Sequence, residues 1–221
     1  MEHFGNIVLT VFAMMMSLFI VGLVHEIGHY FVARVVMKEP NVKITMGFFG
    51  KTIFNSKRFK INSVFFFGAY VGNYSDGEIN RLHMALLFSS GAFFTFLFGI
   101  PVALYMSGGN MGLGDFLPLL FQASPLRDNL LSVQVVQTGF VFPWLSLSTP
   151  LDFFNVFMLY LRMLIPWMII IPILPYAYPL KLHGKWHWNP SDGVWVLKFI
   201  FNKISEKDIE NATTAINEKT D

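Results

Sequence analysis

Three stretches of the chain are apolar for long enough to cross a bilayer: Ile7 to Val24, Met84 to Met106 and Phe153 to Pro175. A helix needs about 20 apolar residues to span roughly 30 Å of hydrocarbon. The first stretch holds only Thr10 and Ser17 as polar members, and helical character is expected to persist to about Val36, giving a span over 7–36. The second, 84–106, is punctuated by Gly91, Gly99 and Pro101, and its small residues Ser89, Ser90, Gly91 and Ala92 suit close packing against the first span. The third, 153–175, carries Asn155, Arg162 and prolines at 166, 172 and 175. It is expected to be kinked or partly unwound, with Arg162 snorkelling or paired to a carboxylate. A short apolar helix follows from 192, and 204–221 forms a polar tail expected in the cytoplasm.

Between the first two spans the pattern shortens. Asn41 to Thr45, Lys51 to Phe54 and Phe59 to Phe66 carry β-branched and aromatic residues between Gly, Asn and Ser punctuation, which predicts short strands in a small sheet or hairpin. Ser107 to Pro150 is almost uncharged and rich in Gly and Pro. It reads as an extracytoplasmic connection, with Phe116 to Gln122 and Leu130 to Leu147 on or partly in the membrane surface.

Composition agrees with this pattern. Hydrophobic residues make up 54% of the chain and charged residues 14%, against about 25% charged in soluble domains. The fold class is therefore an all-α polytopic membrane protein with a small membrane-associated β-sheet or hairpin after the first span, organised as one domain over 1–203. No lysine or arginine precedes the first apolar run and no small-residue cleavage site follows it, so an uncleaved span is expected rather than a signal peptide. The absence of cysteine excludes disulfides and thiolate ligands, and a net charge of +2 gives no footprint for nucleic acid. Lys38, Lys43, Lys51, Lys57, Arg58 and Lys60 face only Glu39 in the loop after the first span. The positive-inside rule places that loop in the cytoplasm and the N-terminus outside.

The chemistry lies where the first apolar run ends, in His25-Glu26-Ile27-Gly28-His29. On a helix the two histidines, four apart, share a face, with Glu26 about 100° round from His25. Each ionisable group in a spanning helix costs roughly 2.5 to 3.5 kcal/mol at its centre, so three within five positions need a common partner. Two imidazoles that bind zinc and a carboxylate that activates water supply one. Two histidines leave a catalytic zinc short of a protein ligand. Asp192, in an Asp-Gly pair opening the last apolar helix, is one candidate, with N-capping of that helix as its alternative role. The pair His183 and His187 is another.

The sequence resembles the site-2 proteases, intramembrane zinc metalloproteases. Their first motif, H-E-x-G-H with a following Ala-Arg pair, is matched by His25, Glu26, Gly28, His29, Ala33 and Arg34. Phe65 to Val71 is similar to the family's P-x-G-G-Y-V segment, with Phe66 for Pro and Ala69 for Gly. Ser90 to Phe96 is similar to its A-G-P-x-x-N-x helix, and Asn189 to Gly193 to part of its N-x-x-P-x-x-x-x-D-G motif. Seventeen residues separate Pro175 from Asp192 where the family has five, so either Tyr176 to Trp188 is an insertion or Asn189-Pro190 has replaced the Leu174-Pro175 element.

The resemblance implies one Zn2+ per chain on His25, His29 and Asp192, with Glu26 as general base. It also implies an extended substrate, a membrane protein or peptide, added along Gly68, Ala69, Tyr70 and Val71. The alternative is a non-proteolytic relative that binds a peptide or partner in an immunity or chaperone-like role. A metal transporter would need a series of intramembrane ligands along a path, which the sequence does not offer.

Overall fold

The computed structural model describes residues 2–48, 50–66, 68–72, 81–107, 109, 150–175, 177–182 and 185–201. The surface segments expected within 107–150, His183 and the polar tail lie outside the described residues. Among the described residues there are three long helices, α1 (Glu2–Phe31), α2 (Arg81–Met106) and α3 (Pro150–Ile173), with a short α4 (Asp192–Ile200). Gly5–Val36, Leu82–Met106 and Phe153–Ile173 are long and apolar enough to cross a membrane. The chain is thus mostly helical, with a small mixed sheet. It divides into two compact units, residues 1–21 with 97–166 and residues 22–96 with 167–221, so the division passes through each long helix.

In the first unit, Ala13 of α1 packs with Val156 and Tyr160 of α3, and Phe12 stacks on Phe153 at 6.1 Å. The polar atoms here are held by nearby backbone. The Thr10 hydroxyl donates to Asn6 O at 2.7 Å, and the Ser17 hydroxyl to Ala13 O at 2.8 Å and Phe157 O at 3.1 Å. Asn155 accepts from the Tyr105 hydroxyl at 3.0 Å. Helix α3 continues through Pro166 and Pro172 and ends after Ile173, so of the expected kink or partial unwinding, the unwinding is not seen. An unbroken backbone exposes fewer unpaired polar groups in an apolar environment.

In the second unit α1 passes into a π-helical turn over Val32–Val36, which ends where the helix is expected to stop. A one-turn π segment is a common device beside functional sites. The chain then reverses, fastened by Glu39 N donating to Ala33 O at 3.0 Å and the Arg34 guanidinium donating to Glu39 O at 2.9 Å. Four strands follow: β1 (Lys43–Met46), β2 (Thr52–Asn55), β3 (Phe59–Asn62) and β4 (Ala69–Gly72). Their order is β2-β3-β1-β4, with β1 parallel to β3 and antiparallel to β4. The first three agree with the expected strands to within a few residues, except at the end of the third. There Ser63, Val64, Phe65 and Phe66, expected to continue the strand, form a turn, and the chain re-enters the sheet as β4. Gly68 makes this re-entry possible: its φ is +76, and an added Cβ would run into the Phe48 ring.

The stretch between α3 and α4, which reads in the sequence as an insertion without regular helix, is a hairpin. Strands β5 (Ala177–Leu182) and β6 (Lys185–Pro190) pair with Ala177 opposite Pro190 and Leu182 opposite Lys185.

Candidate metal centre

Helices α1 and α2 meet at their smallest residues. A Cβ on Gly28 would lie 2.8 Å from Ser90 C and 3.1 Å from Gly91 Cα, so only glycine permits this approach. That contact brings the backbone of α2 under the histidine face of α1. A Cβ on Gly91 would in turn meet His25 Nε2 at 2.5 Å and His29 Nε2 at 2.6 Å. The space in front of both imidazoles is therefore kept open by a missing side chain.

The hairpin β5–β6 delivers the third group. Because its ends are paired, the excursion closes on itself, and the Ser191 hydroxyl donates to Leu174 O at 2.6 Å. Gly193 lies so close to Ile173 O that any Cβ would collide with it. The hairpin therefore loops out between Leu174 and Ser191, which lie side by side at its base. The N-cap position of α4 belongs to Ser191, and Asp192 is the first helical residue, so capping does not account for it. Asp192 Oδ2 lies 3.4 Å from His25 Nε2 and 3.4 Å from His29 Nε2, and the three donor atoms lie within 4.8 Å of one another.

The tautomers follow from the surrounding hydrogen bonds. His29 Nδ1 lies 2.7 Å from Leu87 O, a pure acceptor, so Nδ1 carries a proton and, in the neutral imidazole that a metal requires, Nε2 offers its lone pair. The Thr95 hydroxyl donates its single hydrogen to Gly91 O at 2.9 Å. It can therefore only accept from His25 Nδ1, 3.3 Å away, and His25 Nε2 is also a lone pair. With both imidazoles neutral, three acceptors converge on one point, an arrangement that a metal ion would satisfy. Two imidazole nitrogens and a carboxylate fit zinc, whose catalytic sites use three such ligands and leave a fourth position open.

Glu26, the remaining member of the motif, is buried at 8% exposure in the same helical turn as His25. His183 lies outside the described residues, and only the backbone of His187, paired opposite Leu180 in β6, is described. Of the expected substrate strand, Ala69, Tyr70 and Val71 form β4 at the edge of the four-stranded sheet, with Gly68 exposed just before it. Phe48 stacks on Tyr70 at 6.0 Å, and burial raises the Tyr70 hydroxyl pKa.

Two contributors carry no assignment from the sequence: Thr95 and the Leu87 carbonyl, each fixing one imidazole. Thr95 is visible as a polar residue one turn after Gly91 in an apolar span. A backbone carbonyl leaves no trace in side-chain pattern.

Two imidazoles on a helix of membrane-spanning length and a carboxylate at the start of the short α4 make this a candidate metal centre. The match to the model of peptidase family M50 covers residues 13–165, and the chain belongs to that family, the site-2 protease family of metallopeptidases. The match ends before Asp192, so geometry alone brings that residue to the site. Searches of curated proteins and of solved structures returned no significant match.

Proposed function

We propose that this chain is an intramembrane zinc metalloprotease that hydrolyses peptide bonds in a membrane-embedded or membrane-delivered protein or peptide. The observation that carries the reading is the convergence of His25, His29 and Asp192 on one point, each imidazole turned the right way by its own hydrogen bond. These three residues would hold the metal, which when bound supplies Lewis acidity to the scissile carbonyl. Glu26 takes the proton from the attacking water and passes it to the leaving amine. Burial of His25, Glu26 and His29 excludes bulk water, so competing hydrogen bonds do not dilute these roles.

The peptide is presented as a strand along the β4 edge, Gly68 to Val71, because strand pairing satisfies the backbone groups freed when a membrane segment unwinds. The basic loop lies in the cytoplasm, with the N-terminus outside and the site toward the cytoplasmic half. The test compares membrane-associated and secreted peptides by mass spectrometry in cells expressing the wild type or Glu26→Gln. A precursor that accumulates in the variant supports proteolysis; identical profiles with both proteins abundant would overturn it.

A further inference from the structure

The four-stranded sheet has two edges, and the outer one, β2, is unlike β4. All four residues of β2 are exposed, Ile53 at 65% and Phe54 at 51%. The register shifts between Thr52 and Phe54, so Ile53 occupies an irregular position in the pairing with β3. Two exposed apolar side chains at consecutive positions of an edge strand leave that edge apolar on both faces of the pleat and invite aggregation unless a partner covers it.

Cations surround them. The β2–β3 turn is fixed by Ser56 N donating to Phe59 O at 2.8 Å and by the Ser56 hydroxyl bonding to both Phe59 N and Phe59 O, each at 3.1 Å. Its two central residues are Lys57 and Arg58, both exposed. Lys51 precedes β2 and is exposed. Lys60 on β3 opposes Thr45 on β1, which puts it on the same face as Lys43, two residues from Thr45. Burial and the charge of Lys60 lower the Lys43 pKa, a sign of positive potential on this face. Between 38 and 72 the acidic residue is Glu39, and its side chain is buried.

We propose that the β2–β3 hairpin is a docking site for anionic lipid headgroups, with Ile53 and Phe54 entering the acyl boundary and Lys51, Lys57 and Arg58 holding the phosphates above them. An apolar wedge rimmed by lysine and arginine is the chemistry of an interfacial anchor, and each cation at an anionic surface adds attraction. An acidic peptide would use the cations but leave the wedge in water. Lipid docking at β2 leaves the β4 edge, across the sheet, available for a strand. The inference rests on the membrane-embedded reading above.

The chain has no cysteine, so Ile53→Cys accepts a single environment-sensitive fluorophore. The labelled full chain is placed in vesicles of phosphatidylcholine alone, or with about equal phosphatidylserine, each containing a nitroxide-lipid quencher. Quenching at Ile53→Cys should be at least about twofold greater with phosphatidylserine, because surface cations add to the pull of the wedge. Adding Lys57→Gln and Arg58→Gln returns it to the phosphatidylcholine level, whereas Lys38→Gln, outside the hairpin, leaves it unchanged. Equal quenching in both vesicles, or an equal effect of Lys38→Gln, overturns headgroup docking. A response to soluble poly-glutamate matching that to phosphatidylserine would also overturn it, in favour of an acidic peptide. The same fluorophore at Phe93→Cys, exposed on α2, separates the two readings: no quenching there means the chain does not span the bilayer.

Discussion

The two halves of α1 treat their polar residues in opposite ways. Between Thr10 and Val21 the hydroxyls bond back to the carbonyl four residues earlier, Thr10 to Asn6 and Ser17 to Ala13, with Ser17 adding a longer bond to Phe157 O of α3, so each is served first by its own helix. Between Gly22 and Phe31 the polar atoms reach outward. His25 takes Thr95 and His29 takes the Leu87 carbonyl, and both aim their second nitrogen at Asp192. Self-satisfied polar groups in an apolar helix add little beyond packing. Groups satisfied only by other elements are costly to place and fix a geometry, which is what a site requires.

The sharpest way to break this contrast is to remove the reacting groups. Glu26→Gln should lower peptide cleavage by about 10² to 10⁴ with metal retained, as expected for loss of a general base, measured as turnover of a reconstituted substrate. Next comes Gly91→Ala, whose methyl enters the space before both Nε2 atoms. It should abolish metal loading in elemental analysis. Gly22→Ala, in the same helix as the histidines but with nothing within 4 Å of the added Cβ, should leave loading intact and stabilise the helix by up to about 1 kcal/mol in thermal unfolding.

Thr95→Val keeps the shape but removes the acceptor that sets the His25 tautomer. It should weaken metal affinity by about 10- to 100-fold in chelator competition, the usual cost of losing a ligand's outer partner. The smallest effect belongs to Ser17→Ala, where removing a hydroxyl already served by its own helix should cost about 0.6 kcal/mol and leave metal affinity unchanged. A loss of metal affinity at Ser17 equal to that at Thr95 would erase the distinction between the halves.

What can be read from the sequence follows the same division. The spans and the His25-Glu26-His29 face are legible because helical periodicity links residues three and four apart, and Gly91 stands out as a small residue in a span. Asp192 can be named but not placed, since the intervening excursion has no helical or strand signature strong enough to show that its ends close at Leu174 and Ser191. Strand β4 is visible as a segment with a role rather than as a strand. Its pairing with β1 depends on the turn of Ser63 to Phe66 and on Gly68 at φ +76, not on its own alternation. In α3 the missing N–H groups of Pro166 and Pro172 argue locally for a break, yet the helix continues because tertiary context overrides a local cost of that size.

The most direct test is the zinc content of the purified full chain beside that of Asp192→Ala, by elemental mass spectrometry. One zinc per wild-type chain and its loss from the variant are expected, because Asp192 completes a set of three acceptors that two imidazoles alone leave open. Full zinc occupancy in Asp192→Ala, with the protein folded, would contradict the assignment of this carboxylate as the third ligand.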